Sequence, residues 1–472
     1  MMRQVFVAIL CALSMLHAQD VPPGIEVDAH TLEVLRIINA AGPNEVPAIP
    51  LREDLGYART AGDVAPFGAV KPYKNHFLLQ MEYTGPGRAL PEPAALDSVK
   101  IGFIGPISHT VSVATGGASH EEALGKKMLQ GAQLAVEQAN ARGGYLRRKI
   151  PFELAVANDN GLWGSTGNEV IDMVYKQPTW GILGTIDSAN SHIAIRVALK
   201  AEIVMVNTGD TDPTFIETNI PWVARTIGDD RQMGYLLVDY LVRKMDYKRI
   251  GIVRASNRYG RFGVREVKDS ARRLGRPVVI EMAYKLGGDD YALQVERLKE
   301  ARVDAIVHWG DAREGALILN QLRATGMRQP YFCSDRCVSP EFATIAGANA
   351  EGVIAGYPWN PAREDATLAA FRKAFEQRFG EAPETYAAHA YDGMNVLLWS
   401  IQVAGLNRAK IRDILATREK PWPGVTGEIP FTAALDDGGE VFLAVFENGV
   451  WQYRSRKDLS LLRGATNAGA QR

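Results

Sequence analysis

The stretch ILGTIDSANSHIAIRVALKAEIVMVNTGDTDP, residues 182–213, decides the fold. It reads as strand, polar turn, helix, strand, polar turn. Two apolar runs, Trp180–Gly184 and Ile203–Val206, each feed a polar cluster. The first holds Asp187, Ser188, Asn190 and Ser191; the second holds Asn207, Thr208, Asp210 and Thr211. Two buried strands joined by a helix imply a parallel crossover. In an open parallel sheet, ligands gather beyond the carboxyl ends of the strands, where loops and helix N-termini converge. Capping alone accounts for one such cluster, because Ser, Asn and Asp are ordinary N-caps. Two clusters on neighbouring strand ends point to a binding site. Ser188 there offers a hydroxyl and a backbone N–H at a helix start, which suits a carboxylate.

The same alternation extends outward. VKIGFIGPI reads as a strand, EEALGKKMLQGAQLAVEQANARGG as a helix stopped by Gly143-Gly144, and KIPFELAVAND as the next strand. After WVARTIGDD the pattern restarts. Strands RIGIVRA, PVVIEMAY, AIVHWG and YFCSD alternate with helices expected from Phe262, Tyr291 and Glu314. This predicts two successive α/β lobes, each with a mainly parallel sheet. The helical runs ATLAAFRKAFEQRFG and Tyr386–Ala404 lack strands for a third sheet, so they return to cover one of the first two. EVFLAVFENG and VWQYRS form a closing hairpin.

A chain of 472 residues is too long for one ordinary core. Its 53 basic and 54 acidic residues balance to a net charge of −1, which leaves no electrostatic footprint for nucleic acid or an anionic membrane. The first residues, MMRQVFVAILCALSMLHAQD, have the layout of a secretory signal peptide cleaved after Ala18, so residues 1–18 are expected to direct export to the periplasm. Cys11 lies mid-run, which argues against lipidation. Residues 19–98, rich in Pro and Gly with one amphipathic stretch at Ala29–Ala41, read as an N-terminal extension packed on the main body. Cys333 and Cys337, in YFCSDRCVSP, fit a local disulfide or two buried thiols equally well.

Catalytic signatures are missing. There is no phosphate-cradling G-x-x-x-x-G-K-[ST], no G-x-G-x-x-G after a strand and no G-x-S-x-G. HEEAL at His120 lacks the second histidine of a zinc helix, and no His or second Cys pair stands near the two cysteines. Binding is favoured over chemistry, with no enzyme activity, catalytic residue, metal or cofactor expected.

The ordered segments VKIGFIGPIS, GAQLAVEQANARGG, GILGTIDSANSHIA, IVMVNTGDTDP, VARTIGDD, RIGIVRASNRYGRFG, AIVHWGDAREGALILNQLRATG and YAAHAYDGMNVL resemble the branched-chain amino-acid-binding proteins. These are type I periplasmic solute-binding proteins of ABC importers, and the similarity runs from about Val99 to about Tyr453. It implies two Rossmann-like α/β lobes joined by a three-crossover hinge, with crossovers near Ile227, Tyr357 and Phe431. Lobe 1 would comprise residues 99–228 and 357–431, lobe 2 residues 229–356 and 432–456, and a tail residues 457–472. The resemblance further implies that Ser188 holds a ligand carboxylate. Thr211 would contact carboxylate and amine, Tyr259 would line the second-lobe side, and Asp335 would pair with an ammonium.

Some residues depart from the family pattern. WGDARE puts Asp311 and Ala312 where aromatic residues usually close over the ligand, Leu124 stands where an aromatic often caps the first-lobe side, and the family disulfide of the first lobe is missing. Asp187, Asp210 and Asp311 make the expected cleft more acidic than that of a leucine binder, so leucine or valine is not carried over as ligand, and a polar or cationic amino acid, an amide or urea-like molecule, or another small metabolite is expected. Trp163 and Trp309 are candidate walls. The expected function is an exported protein that captures a small polar metabolite and docks on a membrane permease. The competing reading is a receptor subunit that signals through the same clamshell, with the 19–98 extension available to engage a dedicated partner. An enzyme would need a catalytic group in the cleft, and Asp311 with Asp335 is the acid pair to test.

Overall fold

The computed structural model describes residues 25–42, 45, 47, 83–108, 120–159, 163–218 and 220–459. The expected signal peptide and the last residues of the chain lie outside them. An N-terminal helix, α1 (Ala29–Ala40), precedes two sheets. The first contains β1 (Val99–Gly105), β2 (Phe152–Asn158), β3 (Ile182–Gly184), β4 (Met205–Asn207) and β5 (Val223–Arg225). All pair in parallel, in the order β2-β1-β3-β4-β5. Helices α2 (His120–Ala141), α3 (Trp163–Ile171) and α4 (Ser188–Ala201) make its crossovers.

Strand alternation builds this lobe in three layers. Ile101, Phe103, Leu183, Val206 and Ala224 face the core shared with α2, α11 (Thr385–Ala404) and α12 (Arg408–Ala416). Their neighbours Ile104, Ile182, Met205 and Val223 face α3 and α4. Each of these side chains larger than alanine contributes about 1.5–3 kcal/mol when removed from water. On α2, Gly131 lets α11 come close: a Cβ there would lie 2.0 Å from the Ala387 carbonyl oxygen.

The second sheet has seven strands in the order β14-β13-β10-β9-β8-β6-β7. β6 (Ile250–Ala255), β7 (Ile280–Tyr284), β8 (Ala305–Trp309), β9 (Tyr331–Cys333) and β10 (Ile354–Tyr357) are parallel, and the hairpin β13 (Phe442–Glu447) and β14 (Val450–Arg454) is added antiparallel. One face packs on α5 (Asp230–Asp239) and α6 (Arg258–Arg273). The other packs on α7 (Ala292–Glu300), α8 (Ala312–Ala324) and α9 (Pro340–Ala346). The chain leaves the first sheet after β5 and the second after β10. It then runs through α10 (Ala366–Phe379), α11 and α12 against the first lobe, passes the two-residue strands β11 (Trp422–Pro423) and β12 (Glu428–Ile429), and rejoins the second sheet at β13.

The helices differ from the sequence expectation mainly at their starts. α6 opens at Arg258, because the Asn257 side chain accepts from the Gly260 N–H. α8 opens at Ala312 rather than Glu314. α5 was not expected, and it is buried on all sides except at Asp239, so it lacks the polar face that marks a surface helix.

The N-terminal segment docks on the first lobe. Val34, Leu35 and Ile38 of α1 join its core. Tyr83 meets Trp222 edge to face, with ring centroids 4.8 Å apart, and donates to Glu202 at 2.6 Å. Arg88 clamps the buried Asp413 with two bonds, at 2.6 and 3.0 Å. The Asn407 amide donates to the carbonyls of Gly87, Arg88 and Leu90.

Candidate ligand-binding site between the lobes

The two polar clusters sit beyond the carboxyl ends of β3 and β4, and Asn207 ties them together. Its Oδ1 accepts from the N–H groups of Gly209 (2.9 Å) and Asp210 (2.7 Å). Its Nδ2 donates to the Thr185 carbonyl and to Ser191 Oγ, both at 3.2 Å. One amide thus holds both loops in register. Asp187 is the N-cap of α4, accepting from the N–H groups of Ala189 (2.8 Å) and Asn190 (3.2 Å). Ser188 donates its hydroxyl to Asp210 Oδ1 at 2.7 Å, and the Asp212 N–H reaches the same oxygen at 3.0 Å. Asp210 Oδ2 is buried and has no hydrogen-bonding partner among the described residues. Burial, then the neighbouring charge of Asp212, pushes the Asp210 carboxyl up to about 7.

Across the cleft, Asp335 follows β9. Tyr259, in the first turn of α6, donates to Asp335 Oδ1 at 2.5 Å, and Tyr386, from α11 on the first lobe, donates to Oδ2 at 3.1 Å. Burial raises the Asp335 carboxyl and the two hydroxyls oppose that rise. Arg336 lies over the Tyr259 ring with its guanidinium carbon 3.9 Å from the centroid, and donates to Asp311 at 2.9 Å. Asp311 stands at the start of α8 without capping it. Asp311 pairs with Arg336, whose charge also acts on Asp335.

The hinge supplies further groups. The Thr211 carbonyl accepts from the Asp230 N–H at 2.8 Å, joining the first-lobe loop to the start of α5. Asp230 is 1% exposed and neither of its carboxylate oxygens has a partner by hydrogen-bond geometry, although the Thr211 hydroxyl is near enough to favour the anion. Burial, then the charge of Asp335, holds its carboxyl well above the usual range. Arg225 organises the crossover: it binds both oxygens of Asp436 at 2.7 and 2.8 Å, reaches Asp229 at 3.2 Å, and donates to the carbonyls of Asp210 and Asp212. The lobes also meet at Arg258, which crosses from α6 to Asp212, Thr214 and His192, and at Arg231, which pairs with Glu217.

Ser188, Asp187, Asp210 and Thr211 thus lie together on the first-lobe rim, and Tyr259, Asp311 and Asp335 on the second. Sequence reasoning missed Arg225, Asp230, Arg258, Arg336 and Tyr386. One signal was available, the run RTIGDD directly after a buried strand, with charges where an ordinary turn needs none. Trp309 is fully buried in the second-lobe core, 6.4 Å from Tyr259 between ring centroids and pressed against Gly263, so it is a core residue and not a cleft wall. Leu124 packs into the first-lobe core. The Trp163 side chain lies outside the described ones. Cys333 and Cys337 are buried free thiols. Among the described residues, no group of three or more His, Cys, Asp or Glu is placed to hold a metal ion.

The sequence profile of the family described as "Periplasmic binding protein" matches residues 98–440. The Leu/Ile/Val-binding protein homolog 2 of Brucella abortus is 27% identical over 318 residues, covering 67% of this chain and 84% of the relative. Among solved structures, the branched-chain amino acid substrate-binding protein of Streptococcus pneumoniae, in complex with isoleucine, superimposes with a TM-score of 0.67 at 23% identity, covering 76% of this chain and 99% of that one. A solute-binding protein of R. palustris in complex with benzoate has a TM-score of 0.66 at 16% identity, covering 76% and 96%. With two lobes, three crossings and polar side chains of both lobes meeting at Asp335, the chain belongs to the periplasmic binding protein family, and its role is to bind a solute rather than to transform one.

Proposed function

We propose that this is an exported protein that captures a small polar metabolite, an amino acid or an amide-like molecule, between its lobes and delivers it to an ABC importer. The observation that carries this reading is the convergence on Asp335 of hydroxyls from both lobes, Tyr259 from the second and Tyr386 from the first. A group held there is in contact with both halves, so binding favours the closed form, and closure is what a docked permease would sense. Ser188, Asp187, Asp210 and Thr211 form the first-lobe wall, and Tyr259, Asp311 and Asp335 the second. Export through a cleaved leader, residues 1–18, belongs to the same reading. The relatives support it, being two Leu/Ile/Val-binding protein homologs of Brucella abortus and a Leu/Ile/Val/Thr-binding protein of Salmonella typhimurium.

A thermal-shift screen against amino acids, amides, urea and small carboxylates tests this. A ligand at ~100 times its dissociation constant adds about 2.7 kcal/mol of stability. One chemical class should raise the melting temperature, and Asp335→Ala should abolish the rise. A rise that survives Asp335→Ala would place binding elsewhere.

A further inference from the structure

We propose that the cleft takes a small organic cation, an amine or a guanidinium, that carries no carboxylate. This rests on the solute-binding reading above and replaces its amino-acid or amide-like ligand with an amine or guanidinium.

The pairing of charges around the cleft carries the argument. Each arginine there already has an acid: Arg225 has Asp436 and Asp229, Arg231 has Glu217 and Glu266, Arg258 has Asp212, and Arg336 has Asp311. Asp210, Asp230 and Asp335 are 1, 1 and 2% exposed, and none of them forms an ion pair with a described residue, the charges of Arg225 and Arg336 acting on Asp210 and Asp335 from farther off. Asp210 Oδ2 is a buried carboxylate oxygen that accepts no hydrogen bond, and both oxygens of Asp230 lack a partner of good geometry, with the Thr211 hydroxyl near enough to favour the anion. Buried acceptors left this way call for donors, and buried carboxylates call for positive charge. The Asp230 N–H donates to the Thr211 carbonyl of the first lobe, and its carboxyl feels the charge of Asp335 on the second.

Two of the groups suited to a ligand carboxylate are meanwhile taken by the chain's own acids. Asp187 caps the N–H groups of Ala189 and Asn190 that would draw an anion to the start of α4. The Ser188 hydroxyl is given to Asp210. A ligand carboxylate brought to Ser188 would meet the Asp210 carboxyl there. The Tyr259 ring already carries one guanidinium, that of Arg336, on its face.

Matched pairs that differ only in the carboxylate test this on the full chain by isothermal titration calorimetry: agmatine against arginine, cadaverine against lysine, and 3-methylbutylamine against leucine, with urea and acetamide as neutral probes. At least one amine should bind tenfold or more tighter than its amino acid. Asp230→Asn should weaken that amine at least tenfold, and Asp210→Ala should narrow the gap by admitting the amino acid. Asp210→Asn replaces it if the alanine variant fails to fold. Amino acids binding as tightly as their amines, or binding by the neutral probes alone, would overturn the cation assignment and leave the solute-binding reading standing. If neither these nor the broader screen of amino acids, amides and carboxylates binds, both fall.

Discussion

Replacing Asp210 with Asn tests the electrostatics of the first-lobe wall directly. Asparagine keeps the shape and can still accept from Ser188 and from the Asp212 N–H, while the titrating charge is removed. In the folded protein the Asp210 carboxyl is raised from 3.8 to about 7. A raised carboxyl means that the folded state holds its proton after the unfolded chain has released it. Wild-type stability is therefore highest below the unfolded value and falls as pH rises toward the folded one. The full shift corresponds to roughly 4 kcal/mol, accumulating at about 1.4 kcal/mol per pH unit between about pH 4 and 7. D210N should escape this loss. Its stability relative to wild type should grow by roughly 2–3 kcal/mol from pH 5 to pH 7 and then level off, because other titrating groups are common to both proteins and cancel in the difference. Urea unfolding followed by circular dichroism at four pH values measures it. A difference flat in pH, or one that shrinks as pH rises, would refute the argument and mean that Asp210 is charged throughout.

Four further outcomes are expected. Tyr386→Phe removes the first-lobe hydroxyl from Asp335. A hydrogen bond to a charged group contributes about 1.5–3 kcal/mol, so the closed form should lose population, seen as a larger radius of gyration in small-angle X-ray scattering; an unchanged radius counts against that bond holding the lobes. Arg88→Met leaves Asp413 with Arg412 as its remaining ion-pair partner. Its cost should approach the roughly 3–5 kcal/mol of a broken buried pair, and a melting temperature equal to wild type would mean the N-terminal segment adds nothing to the first lobe. Gly131→Val drives a side chain into the Ala387 carbonyl and should cost at least about 1–3 kcal/mol. Gly164→Ala in α3, with open space around the new methyl, should stabilise by up to about 0.5–1 kcal/mol; equal effects from the two would show that α2 and α11 are not in close contact.

What could be read from the sequence was what is local. The clusters after β3 and β4 were visible because each lies within a few residues of its strand, and the cap at Asp187 spans only three positions. The alternation of strands and helices gave both lobes for the same reason. Tyr259 and Asp335 came into view only through resemblance, since nothing near either marks it as a cleft residue. The groups that complete the site were illegible because their partners are remote: Tyr386 lies 51 residues from Asp335, and Arg225 lies 211 from Asp436. Ser188 shows the complementary difficulty. Its place at a helix start suggests a free hydroxyl, and only the folded loop, set by Asn207, brings Asp210 to take it.

The docking of the N-terminal segment fixes a frame of reference for the hinge. Its described contacts, from Val34 in the core to Arg88 on Asp413 and Trp399 on the Glu26 carbonyl, are all with the first lobe. Anything attached through that segment is attached to one half of the clamshell. The first lobe is then the stator and the second the rotor, and every degree of closure appears as a swing of α6, α8 and the Asp335 loop toward a wall that stays put.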